Sequence, residues 1–529
     1  MSKEYDYDII IVGSGALGAN VARVLAERNH SVAILEAGEK IPRWKILENF
    51  RNSPRKGNLN SPYPNAPWAR HSFDDDYIEN TGSFEFKPGM LKLVGGTTWH
   101  WAAFTWRYLP NDMKINTLYG VGRDWPIEYD DLEPFYTKAE YALGVAGNDT
   151  QDQSGHNQGP FPPRSKPYPL PPEQDNYLLQ RVRDRLSPLG YRFVHEPCAR
   201  ATVKFENRPA CAGNNNCMPI CPIGAMYSGI SDVEKAEKAG AILLTDATAY
   251  RINRGKENKI ESIDYRSSKG EDKQLTAKYF VIAAHGLETP KLLLMSDVAN
   301  SSDQVGRNLM DHSGAGLQFI ADEEVWPGRG SIEYGVIVNH RDGDFRKKHA
   351  AMRHGFTNSN PNLTLTQNLI EQGYLGTELD EKIRYQASRW VDISTVFEML
   401  PDPNNTVRPS TTRKDALGIP MLTVHYNVAD YVKNAREVAY QDYAKIVAEM
   451  GEKVIVDRTG FQNRDHLMGT VIMGDNPKDS VVNHECRTWD HPNLFLATTG
   501  VIPASGVVNP TLTGVALSIR LAEIIDREI

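Results

Sequence analysis

Cys211, Cys217 and Cys221 place three of the chain's five cysteines within eleven positions, in the run CAGNNNCMPICPIGAM. The spacing is C-x5-C-x3-C, with Gly213 and Asn214 to Asn216 between the first two sulfurs and Pro222 after the third. Glycine and asparagine accept left-handed backbone, so this loop can fold back and bring its thiolates together. Grouped thiolates repel unless a metal centre offsets their charge. The residues leave three readings open. An iron–sulfur cluster is held by thiolates, and three of them suit a 3Fe-4S cluster at one per iron. Zinc would need a fourth ligand, His195 or a water. The third reading is plain buried thiols, the role assigned to Cys198 and Cys486.

A second chemical stretch is Gly13-Ser14-Gly15-Ala16-Leu17-Gly18, which has the G-x-G-x-x-G spacing. It follows an apolar strand pattern, Asp8 to Val12, and opens a helical pattern through Leu17, Val21, Val24 and Leu25. A second strand pattern, Ser31 to Leu35, ends at Glu36. Strand, glycine turn, helix, strand and acid together make a dinucleotide grip. Gly13, Gly15 and Gly18 let backbone approach a pyrophosphate, Ala16 opens the helix N-terminus beneath it, and Glu36 accepts ribose hydroxyls. NAD and FAD share this grip. Iron–sulfur centres move single electrons while nicotinamide moves hydride, so a chain carrying both functions needs flavin as the converter. FAD is the expected nucleotide.

A further glycine-rich site, Gly95-Gly96-Thr97-Thr98-Trp99-His100-Trp101, would bring backbone and aromatic surface, with Trp106, to a flat ligand or else form a buried turn. Near the C-terminus, His466 precedes an apolar strand-like run, Val471 to Gly474. Asn509 reads as an N-cap with Pro510 and Thr511 opening the last helix. The positive end of that helix would favour an anionic reduced flavin by about 1 kcal/mol.

These residues need a large scaffold. A chain of 529 residues exceeds one hydrophobic core and is expected to form two to four domains. A formal net charge of -8 argues against nucleic-acid binding. No apolar run is long enough to cross a bilayer, and the start MSKEYDYDII lacks the regions of a secretory signal, so the chain by itself reads as cytoplasmic. The proline-rich stretch 158–172 reads as an extended connection, and Tyr279 to Ala284 as a buried strand leading to a helix from Thr289. The expected class is α/β (mixed α+β). Residues 1–157, 231–310 and 458–529 form a Rossmann-like FAD-binding domain. Residues 158–230 carry the connection and cysteine insertion, and 311–457 form a sheet-plus-helix substrate domain.

The N-terminal fingerprint, Gly95-Gly96-Thr97-Thr98, Gly286 to Leu293, Val305 to His312, His466 and Asn509-Pro510 occur in the order found in the glucose-methanol-choline (GMC) oxidoreductases, FAD enzymes that oxidise alcohols. With the cysteine run and Gly122 to Pro126, the chain resembles the catalytic large subunits of bacterial membrane-bound glucose, fructose and gluconate 2-dehydrogenases. The resemblance implies that His466 is the base that takes a sugar hydroxyl proton, that Asn509 holds the same oxygen, and that hydride passes to FAD. It implies a 3Fe-4S cluster on Cys211, Cys217 and Cys221, and a multihaem cytochrome c subunit as acceptor and membrane anchor. It also implies a small chaperone-like subunit whose twin-arginine signal carries the folded chain to the periplasmic face of the inner membrane. His100 occupies the position of a histidyl flavin link in choline-oxidising relatives, and Asp465 stands where the sugar dehydrogenases carry asparagine. An oxygen-using oxidase of the same fold is the alternative enzyme, and a non-catalytic nucleotide-binding protein with structural zinc the alternative of another class.

Overall fold

The computed structural model describes residues 5–53, 59–71, 76–332 and 335–529. Tyr7–Val12 forms a central strand whose Ile9, Ile10 and Ile11 have no exposed surface, the mark of a parallel strand covered on both faces. It pairs in parallel with Val32–Leu35 on one side and Asp272–Ile282 on the other. Ile242–Leu244 and Leu494–Leu496 complete the parallel sheet. The N-terminal half of Asp272–Ile282 turns instead to an antiparallel partner, Ile260–Arg266, which pairs with Thr248–Arg254.

Helix Ala16–Ala26 lies over this sheet and packs against helices Ile230–Lys238 and Thr511–Glu528. Fully burying an aliphatic side chain such as Val21 or Leu25 contributes about 1.5–3 kcal/mol. This packing ties the last helix of the chain to the first.

The second layer is a six-stranded antiparallel sheet in the order Gly451–Gln462, Gly314–Ala321, Trp390–Phe397, Met352–Phe356, Gly335–Ile337 and Phe193–His195. Helix Asp430–Met450 packs on it through Val432, Ala439 and Ile446. Thr406–Lys414, Pro420–His425 and Ile78–Asn80 form a small third sheet.

Several local expectations shift. Strand Gly451–Gln462 runs through the 457/458 boundary drawn from sequence, and Phe193–His195, in the cysteine insertion, is an edge strand of the antiparallel sheet. The helix after Ala284 begins at His285, four residues before Thr289, and carries Pro290 inside it. Val471 to Gly474 is buried outside the sheets, with Met473 bridged to Val482 and Val471 and Met473 bonding the carbonyls of Gly500 and Val501. Residues 158–172 form neither helix nor strand. The last helix begins at Thr511, so Pro510 takes the cap position and Asn509 caps nothing.

Candidate active site

A cavity of about 370 Å³ opens at the C-terminal ends of the parallel strands, where Val12, Leu35, Ala283 and Ala497 line it. Gly13, Gly15, Ala16, Glu36, Gly96, Thr97, Thr98, His100, Trp101, His466, Asn509, Pro510 and Thr511 all line it. The glycines divide by role. A Cβ on Gly18 would sit 2.1 Å from the Gly13 carbonyl oxygen and one on Gly13 2.5 Å from that of Ala283, so both permit backbone packing. A Cβ on Gly15 would meet no protein atom within 4 Å. Gly15 therefore faces the cavity, and its missing side chain leaves room for a ligand at the N-terminus of the first helix. Gly96, at φ +57°, brings the second glycine turn against it: a Cβ there would lie 3.1 Å from Gly15 Cα. Glu36 is locked by the Ser14 hydroxyl (2.6 Å), the Ser14 N–H (3.1 Å) and the Gly38 N–H (3.0 Å). His285 also lines the cavity, and its buried Nδ1 has no hydrogen-bond partner among the described residues. Open glycine turns, a fixed carboxylate and an unmet buried donor or acceptor fit a bound dinucleotide.

The remaining glycine-site residues hold the wall. Thr98 Oγ1 donates to the Gly95 carbonyl at 2.5 Å and accepts from the Gly229 N–H at 2.8 Å. Trp101 donates to the Tyr227 carbonyl at 2.9 Å. His100 Nε2 bonds the Gly89 carbonyl at 2.8 Å, and burial pushes its pKa down to about 4. Trp99 and Trp106, expected as stacking surface, do not line the cavity: Trp99 bonds the Val94 carbonyl and Trp106 bonds Glu196.

At the far wall His466 Nε2 stands 2.7 Å from Asn509 Nδ2 and His466 Nδ1 stands 2.9 Å from His312 Nδ1. Asn509 Oδ1 accepts from Arg353 Nη2 at 2.9 Å, which turns the amide N–H toward His466. Arg353 is paired in turn with buried Glu196, which also accepts from Trp106 Nε1. Beneath the histidine, the Asp311 carboxylate accepts the backbone N–H groups of Arg464 (3.0 Å), Asp465 (3.2 Å) and His466 (2.8 Å). Burial, then the neighbouring His312, Arg353 and Arg464, hold the His466 pKa well below the ordinary histidine value. His466 is thus neutral at neutral pH. Burial and Asp465 raise Asp311 to about 7, and burial raises Asp465 to about 6. Asn509, read from sequence both as a helix cap and as the residue that holds the substrate oxygen, caps no helix and turns its amide to His466.

The cysteine loop adjoins this cavity, since Met218 lines it. Gly213 and Asn215 take positive φ, and Asn215 anchors the loop to the carbonyls of Gly330 and Asn358. Cys217 and Cys221 are buried and Cys211 half-buried. Cys217 lies within electrostatic reach of both other thiols, and the Arg200 guanidinium approaches its sulfur to 3.7 Å. Burial raises the Cys211 and Cys217 thiols, and Arg200 opposes it in both. Among the described residues no three side chains of Cys, His, Asp or Glu converge as a single ion requires. His195, the fourth ligand considered for zinc, is engaged with Asp175 at 2.9 Å and Gln151 at 3.2 Å. Cys198 and Cys486 are buried and lie outside the loop.

Arg353 and Glu196 carry no sequence signal, because each reaches the site from a separate strand of the antiparallel sheet or its edge. Asp311 and His312 stood in a recognisable motif that gave no hint of their partners.

Comparison with known proteins agrees with this geometry. The chain matches the family described as GMC oxidoreductase over residues 192–314 and 401–518. It is 42% identical to the fructose dehydrogenase large subunit of Gluconobacter japonicus, covering 98% of this chain and 97% of that one. It is 22% identical to the gluconate 2-dehydrogenase flavoprotein of Pantoea cypripedii, covering 95% and 91%. A structure of an Aspergillus oryzae formate oxidase variant, from work on its FAD modification, shares the fold with a TM-score of 0.66 at 16% identity, covering 100% and 99%. The family match and the 42% identical relative make this chain a member of the GMC oxidoreductase family, and the glycine turns that line its cavity fit the family's FAD.

Proposed function

We propose that the protein is a sugar dehydrogenase that oxidises a hydroxyl carbon of a sugar, sugar acid or glycoside. The observation that carries this is the His466–Asn509 pair, a neutral base and an amide donor 2.7 Å apart on the cavity wall, in a chain 42% identical to a fructose dehydrogenase large subunit. The substrate hydroxyl sits at this pair. Its oxygen accepts the Asn509 N–H and its proton goes to His466 Nε2 as the C–H bond breaks. Arg353 holds the amide in the donating orientation, and Asp311 holds the backbone of His466. When bound, FAD supplies the hydride acceptor at N5.

Cys211, Cys217 and Cys221 hold a 3Fe-4S cluster, which supplies one-electron transfer. Three cysteines on one loop beside the cavity, with the Arg200 guanidinium against the Cys217 sulfur, support this. The acceptor is a multihaem cytochrome c subunit, which also anchors the complex. A small chaperone-like subunit brings the folded chain to the periplasmic face of the inner membrane. No helix among the described residues is long and apolar enough to cross a membrane.

Two variants separate the two centres. His466→Ala should abolish anaerobic flavin bleaching by sugar while FAD stays bound. Cys217→Ser should preserve bleaching and stop cytochrome c reduction. Unchanged cytochrome reduction in Cys217→Ser would remove the relay. Substantial peroxide formation with oxygen as sole acceptor would favour an oxidase.

A further inference from the structure

The hydrogen-bond chain through the base fixes where its protons are. His312 Nε2 lies 3.0 Å from the Gly506 carbonyl oxygen, which can only accept, so Nε2 carries the hydrogen. A neutral His312 then has a bare Nδ1. That atom lies 2.9 Å from His466 Nδ1, which must donate to it. A neutral His466 with its proton on Nδ1 has its lone pair on Nε2, facing the Asn509 amide N–H at 2.7 Å. Asn509 cannot reverse its amide without facing Arg353 Nη2 with an N–H. Every link is therefore directional, from the Gly506 carbonyl to Arg353.

We propose that His312 is a positioning residue: its bare Nδ1 accepts the His466 Nδ1–H and so keeps the basic Nε2 lone pair turned to Asn509 and the substrate hydroxyl. This rests on His466 being the base. His312 is fully buried and does not line the cavity, so it acts through the groups it bonds, His466 and the Gly506 carbonyl. When His466 gains the substrate proton, the Nδ1–H still has its acceptor, and the imidazolium forms against a neutral ring. The charged groups around the pair are Arg353 and Arg464, with Asp311 on the backbone beneath His466. Protonation of His312 would set two N–H groups against each other and force His466 to move its proton to Nε2, removing the base.

The test uses FAD-loaded His312→Leu, which lacks the acceptor, and His312→Asn, whose Oδ1 can replace Nδ1. Sugar-driven flavin reduction should slow by about 10- to 100-fold in His312→Leu, the range for leaving a buried donor unmatched. His312→Asn should recover to within a few-fold. Nitrogen-15 imidazole shifts should show His466 protonated at Nδ1 in the parent and His312→Asn proteins and a mixture of tautomers in His312→Leu. If His312→Leu slows reduction but the His466 tautomer is unchanged and His312→Asn does not recover, His312 is merely structural and the proposal is overturned. If His466→Ala itself retains the rate, the base assignment fails instead.

Discussion

Arg353→Met separates the stability of the active-site wall from its chemistry. The Arg353 and Glu196 side chains are 6% and 0% exposed, and the guanidinium also bonds the Val507 carbonyl at 3.1 Å and Asn509 Oδ1 at 2.9 Å. Removing one partner of a buried ion pair leaves an uncompensated charge and costs about 3–5 kcal/mol, whereas replacing both by apolar residues is often neutral. Burial already raises the Glu196 pKa, with Arg353 the largest opposing influence, so the single variant should push it higher. The deficit should therefore shrink as pH falls and Glu196 takes up a proton. Catalysis should respond differently. Without Arg353 the Asn509 amide is free to turn its oxygen toward His466, and loss of that orientation should slow flavin reduction by about 10- to 100-fold. Adding Glu196→Met should restore most of the stability and none of the rate. Chemical denaturation and anaerobic stopped-flow reduction, run on both variants, read the two effects. A double variant that stays as unstable as the single one, or that regains the parent rate, would refute the reasoning.

Gly15→Ala should leave the apoprotein's stability unchanged, since the new methyl meets no protein atom, yet weaken FAD binding by about tenfold or more. Gly18→Ala, which collides with the Gly13 carbonyl, should destabilise the apoprotein itself; thermal melts and flavin titration distinguish the two. The pH dependence of stability has two opposed parts. Asp311 at about 7 and Asp465 at about 6 titrate near 3.8 when unfolded, so from about pH 8 down to 6.5 the folded state gains protons and stability should rise. Below 6.5 the unfolded chain protonates His466 and His312, which the folded state keeps neutral, and stability should level or fall. Asp311→Asn should flatten the upper part of a melting curve series. A stability that falls steadily from pH 8 to 6.5 in the parent protein would contradict the carboxyl assignment.

The nucleotide grip was legible because its parts are local: strand, turn, helix and acid follow one another within about thirty residues, and Gly13, Gly15 and Glu36 all reach the cavity. The cysteine loop was legible for the same reason, down to left-handed backbone at Gly213 and Asn215. The opposite wall was legible in part: the family motifs put His466 and Asn509 at one site, but not the residues that hold them. Asn509 has the residue type of an N-cap and sits one position before the helix cap, so local propensity suggested the wrong partner; Arg353 and His466, brought in by the antiparallel layer, take its side chain instead. Val471 to Gly474 has a strand's apolar pattern and is buried, but it pairs outside the sheets, through a Met473–Val482 bridge and bonds to the Gly500 and Val501 carbonyls. Glu196 and Arg353 meet across 157 positions, a separation that no spacing rule spans.

Anaerobic absorbance of the purified protein, with iron and acid-labile sulfide assayed on the same sample, tests the central claim most directly. Spectra are recorded before and after adding fructose, glucose, gluconate and glycosides. Flavin bands that bleach with one of them, over an iron–sulfur background at about three irons per chain, are the predicted result. A flavin that none of the panel bleaches, or a colourless protein containing zinc, would contradict it.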